Sequence, residues 1–146
     1  FCRRIKDIGF LVKLDTNGSN PDVIKHLLDE NLVDYIAMDI KHRLDRYIET
    51  SVNKTDPSVY ARSIQLIMDR SPDYEFRTTV IRGIHSADDI AVMAQMIEGA
   101  RRYFLQNYRA GHTIDPNYPG ASFTTAELKE LKEIAGKFVE KCSIRM

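Results

Sequence analysis

The sequence predicts an α/β fold: a parallel sheet built from successive strand–helix units. Three observations carry this. Short apolar runs alternate along the chain with longer stretches of helical spacing. Most helical stretches open on a capping or turn residue and several stop at Gly or Asn. Strands that alternate with helices pair in parallel, joined by right-handed crossovers.

The elements follow in order. Residues 1–9, Phe1-Cys2-Arg3-Arg4-Ile5-Lys6-Asp7-Ile8-Gly9, read as the end of a helix closed by Gly9. Residues 10–14 are apolar except for Lys13 and predict a buried strand. Asp15-Thr16-Asn17-Gly18-Ser19 is turn chemistry. Asn20-Pro21 then caps a helix with Val23, Ile24, Leu27 and Leu28 on its apolar face, ending near Asn31. Residues 33–40 predict the second strand. Residues 42–55 predict a polar loop with a short helix around 44–47.

Asp56-Pro57 opens a helix whose stripe is Tyr60, Ile64, Ile67 and Met68. Residues 74–81 predict the third strand, closed by Arg82-Gly83. Ser86 caps the next helix, with Asp88 and Asp89 in the turn that the helix dipole favours for carboxylates. Its buried face is Ile90, Met93, Ala94 and Ile97, and Gly99 stops it. Residues 103–108 predict the fourth strand and 109–123 a loop. Thr124 and Glu127 form a capping box. Leu128, Leu131, Ala135 and Phe138 line the last helix, and 143–145 form a short final strand.

Composition narrows the function. The 146 residues hold 21 Lys plus Arg against 21 Asp plus Glu. A balanced chain has no general pull on nucleic acid or an anionic membrane, and no run of like charge supplies a local one. The 43% hydrophobic fraction suits a packed core rather than a disordered chain. No apolar stretch approaches the roughly 20 residues of a membrane span. No secretory signal is visible, and Cys2 and Cys142 make no disulfide framework, so the expected compartment is the cytoplasm. The chain opens at a helix end with Phe rather than Met, so residues upstream are expected to be missing.

Active sites of α/β folds gather where strands end. The first strand end offers Asp15, Thr16, Asn17 and Gly18; the second, Met38, Asp39 and Lys41. The third offers Arg77 and Thr79, then Arg82, Gly83 and His85. The fourth offers Gln106, Asn107, Tyr108 and Arg109, then Gly111 and His112. Asp15 and Asp39 on neighbouring strands suit a shared cation or a polar ligand. Lys41 and Arg77 would offset them and donate to hydroxyls or carboxylates. Each has a plain structural alternative: Asp15 as a turn residue, Asp39 with Lys41 as a solvated ion pair, Arg77 as a side chain reaching out of the core. The histidines read as exposed, with His26 and His42 on the surface and His85 and His112 in loops. Asn53-Lys54-Thr55 matches a glycosylation triplet without meaning in a cytoplasmic chain.

Four segments occur in order: Leu14-Asp15-Thr16-Asn17-Gly18, Met38-Asp39-Ile40-Lys41, Phe76-Arg77-Thr78-Thr79-Val80-Ile81-Arg82-Gly83 and Leu105-Gln106-Asn107-Tyr108-Arg109. Together they resemble the glycyl-radical-enzyme activating proteins of the radical S-adenosylmethionine (SAM) superfamily. The likeness extends to the activators of anaerobic ribonucleoside-triphosphate reductase and of pyruvate formate-lyase. It implies that residues 1–146 are the C-terminal part of a partial (β/α)6 barrel, about four of its six units. It implies SAM as cofactor, and in the full-length parent a [4Fe–4S] cluster whose Cys-x3-Cys-x2-Cys ligands this chain lacks.

By resemblance, Asp15 and Thr16 lie near the methionine carboxylate of SAM. A monovalent cation is expected there, held by Asp15 and Asp39 with help from Met38. Asp39 and Lys41 hold SAM, including its ribose, and Arg77 is a further contact. Asn17, Gln106 and Arg109 complete the expected cofactor-binding set, although relatives often carry Pro-Tyr-His where this chain has Asn107-Tyr108-Arg109. No catalytic residue is assigned. The implied partners are a glycyl radical enzyme and an electron donor such as flavodoxin or ferredoxin. The piece alone is expected to be inactive. Its open edge at residues 10–14 is expected to form a homodimer or to be covered by a displaced helix.

Two other readings compete. A fragment of another (β/α) barrel enzyme would need a catalytic Lys or a phosphate-binding glycine loop, and neither stands out. A non-enzymatic doubly wound module would predict a complete sheet with covered edges.

Overall fold

The structure is a computed structural model that describes residues 1–47, 56–109 and 120–145. The Asn53-Lys54-Thr55 triplet, Gly111 and His112 lie outside the described residues. Five strands form one parallel sheet in chain order, β1-β2-β3-β4-β5. The chain divides into two compact units, Phe1–Phe76 and Arg77–Met146, with the boundary inside β3.

The first unit opens with α1 (Cys2–Asp7). Gly9, at φ 89°, turns the chain out of it, and the Phe10 amide bonds back to the Ile5 carbonyl. β1 (Lys13–Thr16) follows, then α2 (Pro21–Asp29), β2 (Tyr35–Asp39), a 3-10 turn (Leu44–Arg46), α3 (Ser58–Arg70) and β3 (Tyr74–Val80). The Asn20 side chain accepts from the Val23 amide to start α2. Asn31, in the left-handed region at φ 51°, follows its end. In β1 the expectation needs correction. The strand is not the buried run 10–14: Phe10 and Leu11 are 64% and 81% exposed, and Lys13–Thr16 alternates between exposed and half-buried. Apolar character marked the chain but not its edge, for β1 ends the strand order. Asp34 fixes where β1 begins, accepting from the Val12 amide at 2.8 Å and from Lys6 at 2.5 Å. These bonds hold its carboxyl below the usual aspartate value, the Lys6 bond most of all.

The core of this unit is Ile24 and Leu28 of α2, Ile36 and Met38 of β2, and Tyr60, Ile64 and Ile67 of α3. Val23 stands 50% exposed, so the apolar stripe of α2 is narrower than its sequence suggests.

The second unit holds the rest of β3, then α4 (Ala87–Met96), β4 (Tyr103–Asn107), α5 (Thr125–Ala135) and β5 (Cys142–Arg145). Ser86 with Asp89 and Thr124 with Glu127 form complete capping boxes. α5 stops at Gly136, so Phe138 lies beyond it rather than on its face. α5 packs on α4 and against β4 and β5. Ile90, Met93, Ala94, Leu105, Leu128 and Ala135 form a fully buried core. Cys142 starts β5, and burial pushes its thiol up to about 11.

Candidate functional site

Register decides which predicted residues meet. Lys13 lies opposite Tyr35, Asp15 opposite Ala37 and Thr16 opposite Met38. Paired residues of parallel strands share a face, and the face alternates at each residue. Lys13, Asp15, Tyr35, Ala37 and Asp39 therefore stand on one face. Thr16 and Met38 stand on the other. The contacts agree: Lys13 Nζ lies 5.7 Å from the Tyr35 ring centre and 3.7 Å from Asp15 Oδ1.

The polar face carries the candidate chemistry. Lys41 Nζ donates to Asp39 Oδ2 at 2.9 Å, with both side chains partly exposed. Tyr35 donates its phenol to Glu75 Oε2 at 2.7 Å, which gives a carboxylate only 3% exposed one partner. Sequence reading missed Glu75 and Tyr35. Their signal is a shared odd-position face on neighbouring strands.

The opposite face shapes the first strand-end loop. Thr16 Oγ1 accepts from the Gly18 amide at 3.0 Å, and Asn17 Oδ1 accepts from the Ser19 amide at 3.0 Å. Ser63 of α3, fully buried, donates to the Gly18 carbonyl at 2.7 Å. Gly18 sits at φ 74°, and a Cβ there would come within 2.1 Å of Met38 Cε. Met38 thus packs under the loop, and Thr16 holds the loop's turn. Of the six residues predicted here, Asp15 and Asp39 share a face of neighbouring strands, and Lys41 bonds Asp39. Asn17 is exposed, while Thr16 and Met38 stand on the far face.

The second unit holds the other predicted residues. Within β3 Arg77 and Thr79 share one face, with Thr78 on the other. Thr78 Oγ1 and the Tyr103 hydroxyl are 2.7 Å apart, so Tyr103 stands on the Thr78 side. Phe104 and Gln106 then alternate to the Arg77 side. Gln106 lies opposite Arg145, whose guanidinium stacks 3.6 Å from the Phe104 ring. Arg109 is exposed beyond the strand.

The neighbouring polar residues bond to residues 121–127 instead. Asn107 donates to the Phe123 carbonyl at 2.9 Å and accepts from its amide at 3.0 Å. Ser122 donates to the Tyr108 carbonyl at 2.6 Å. Arg82 bonds Glu127 and the Ser122 carbonyl, and its backbone pairs with Ala121.

Two histidines depart from expectation. His42 is fully buried, and its Nδ1 accepts from the Arg43 amide at 2.8 Å. His85 is 5% exposed, and its Nδ1 accepts from the Ile81 amide at 3.1 Å. Loop position alone hid this, because the packing that buries them comes from elsewhere in the fold. Among the described residues no group of three or more His, Cys, Asp or Glu side chains could hold a metal ion, and no helix is long and apolar enough to cross a membrane.

No family model matches the chain. It is 32% identical over 149 aligned positions to a protein of Methanocaldococcus jannaschii described as a "Putative glycyl-radical enzyme activating enzyme". The match takes in 99% of this chain, which spans 62% of that relative's length. The crystal structure of a domain of pyruvate-formate lyase-activating enzyme from Bacteroides vulgatus has the same fold, with a TM-score of 0.76 at 13% identity. That likeness covers 99% of this chain and 87% of the other. In sequence the chain is thus similar throughout to a relative described as an activating enzyme, and in fold to a domain of another.

Proposed function

We propose that this chain is the SAM-binding side of a radical SAM activase whose whole protein generates a glycyl radical on a partner enzyme. One observation carries the reading. Asp15, Asp39 and Lys41 share a rim at two neighbouring strand ends, in a chain 32% identical to an activase relative.

The donor set fits SAM. Carboxylates favour a sulfonium or an ammonium, and lysine donates to carboxylate and hydroxyl oxygens. It does not fit an iron–sulfur cluster, because the chain has 2 cysteines, Cys2 and Cys142, and three or four closely spaced thiolates are needed. The cluster belongs to the remainder of the whole protein. SAM, when bound, supplies the hydrogen-abstracting chemistry, and the protein positions and shields it.

In this reading Asp39 orients Lys41, and Lys41 donates to the ribose or carboxylate of the cofactor. Asp15 lies near the methionine carboxylate, where Asp15 with Asp39 holds a monovalent cation. Thr16, Asn17 and Met38 set the loop. Arg77, Gln106 and Arg109 add contacts from the later strands. The partner is a glycyl radical enzyme of the anaerobic ribonucleotide reductase or pyruvate formate-lyase type. Flavodoxin or ferredoxin donates the electron, and the setting is the cytoplasm. The chain alone is inactive and self-associates along β1.

Calorimetric titration of the chain with SAM tests the rim. Binding that weakens by about tenfold or more in Lys41→Ala and Asp39→Asn supports it. No binding, or equal affinity in all three proteins, refutes it. Iron and sulfide analysis of a longer form, prepared without oxygen, tests the class: lack of a [4Fe–4S] signal sinks the activase assignment.

A further inference from the structure

Asp39 ends β2, and two residues later Lys41 must return its ammonium to the Asp39 carboxylate. A chain leaving a strand has lost its ladder, and its backbone is free to wander unless something else satisfies it. Tyr47 does this. Its ring sits just past the 3-10 turn, 1% exposed, and stacks on Tyr60 of α3 with centroids 4.0 Å apart. Its hydroxyl accepts from the Lys41 amide at 3.1 Å and donates to the Asp39 carbonyl at 3.3 Å. One phenol therefore bridges the two peptide groups that carry the rim's ion pair. Ile40 between them is fully buried, which leaves the segment little room to re-form.

We propose that Tyr47 is a positioning residue that sets the Asp39–Lys41 geometry for the cofactor, an inference that rests on the SAM reading of the rim. It touches no cofactor atom itself. A backbone held at three points keeps its side chains in one arrangement, and such preorganisation is worth affinity.

Hydrogen exchange and calorimetry on the chain and its Tyr47→Phe variant test it. The ring and its stacking stay, while the bridge is lost. The Lys41 amide should exchange about tenfold faster or more in the variant, with the Ile36 and Leu105 amides unchanged. SAM affinity should fall by about tenfold in Tyr47→Phe. In a Lys41→Ala background the same substitution should add less than about twofold, because Tyr47 acts through that pair.

Unchanged Lys41 exchange overturns the inference. So does an equal affinity loss in both backgrounds, which would mark a merely structural residue. If the parent chain fails to bind SAM while Lys41 exchange quickens as expected, the bridge stands and the cofactor reading falls. Tyr60→Leu removes the stack but keeps the hydroxyl. It should shift both readouts the same way by a smaller factor; should Tyr47→Phe fail to fold, an unmoved Tyr60→Leu overturns the proposal.

Discussion

At the strand ends of the first unit, Asp39 and Lys41 bond each other on a partly exposed rim, and Tyr47 ties down their backbone. At the strand ends of the second unit, Asn107, Arg82 and Ser122 turn their side chains onto backbone and onto Glu127. Both sets are polar residues just past a strand, and in sequence they look alike. One pairs charged side chains with each other. The other uses its hydrogen-bonding capacity to join two pieces of chain. In the first case two side chains bond each other; in the second, Asn107 and Ser122 bond peptide groups and Arg82 bonds both a peptide group and Glu127.

Substitutions can break this contrast. The largest effect should come from Asn107→Ala, which leaves the amide and carbonyl of Phe123 without their partner. We expect a stability loss of about 2–3 kcal/mol by denaturant titration; a loss under about 0.5 kcal/mol would mean that the Asn107 clamp is dispensable. Gly18→Ala should follow at about 1–2 kcal/mol, because it strains a left-handed position and drives a methyl into Met38. Lys41→Ala should cost less than about 1 kcal/mol, since half-exposed ion pairs contribute little. Its consequence should appear in SAM affinity. A larger stability loss in Lys41→Ala than in Asn107→Ala would invert the comparison.

The smallest effect concerns pH. Thr124's hydroxyl and amide, with Arg82 nearby, hold the Glu127 carboxyl below its ordinary value of 4.5. A depressed carboxylate contributes stability that is fully present above the ordinary value and is lost as pH falls through the folded value. The acid limb of a pH–stability profile should therefore flatten slightly in Glu127→Gln. An unchanged limb would remove Glu127 from the closure of the second unit.

Much of this was legible because it is local. Asn20, Ser86 and Thr124 cap the helices that their spacing announced, and Gly9 turns the chain where the periodicity stopped. That Asp15 and Asp39 would stand on neighbouring strands was legible too, from the order of strands and helices. Other features depend on distant partners. Residues 10–14 look like a buried strand until one knows that β1 has a single neighbour. His42 and His85 look like loop histidines until the fold covers them. Thr16 and Met38 sit in the right motifs but on the supporting face, because only the register separates odd from even. Tyr47 gave no signal, for its role joins a side chain to peptide groups six and eight residues back.

The stacked pair of Tyr47 and Tyr60 has a practical side. The chain contains no tryptophan, so its near-ultraviolet emission and circular dichroism come chiefly from its 7 tyrosines. Two of them are locked ring on ring, and one bonds directly to the peptide of Lys41. A ligand that moves this lysine should perturb that aromatic signal, which would make occupancy of the rim visible optically with no dye attached.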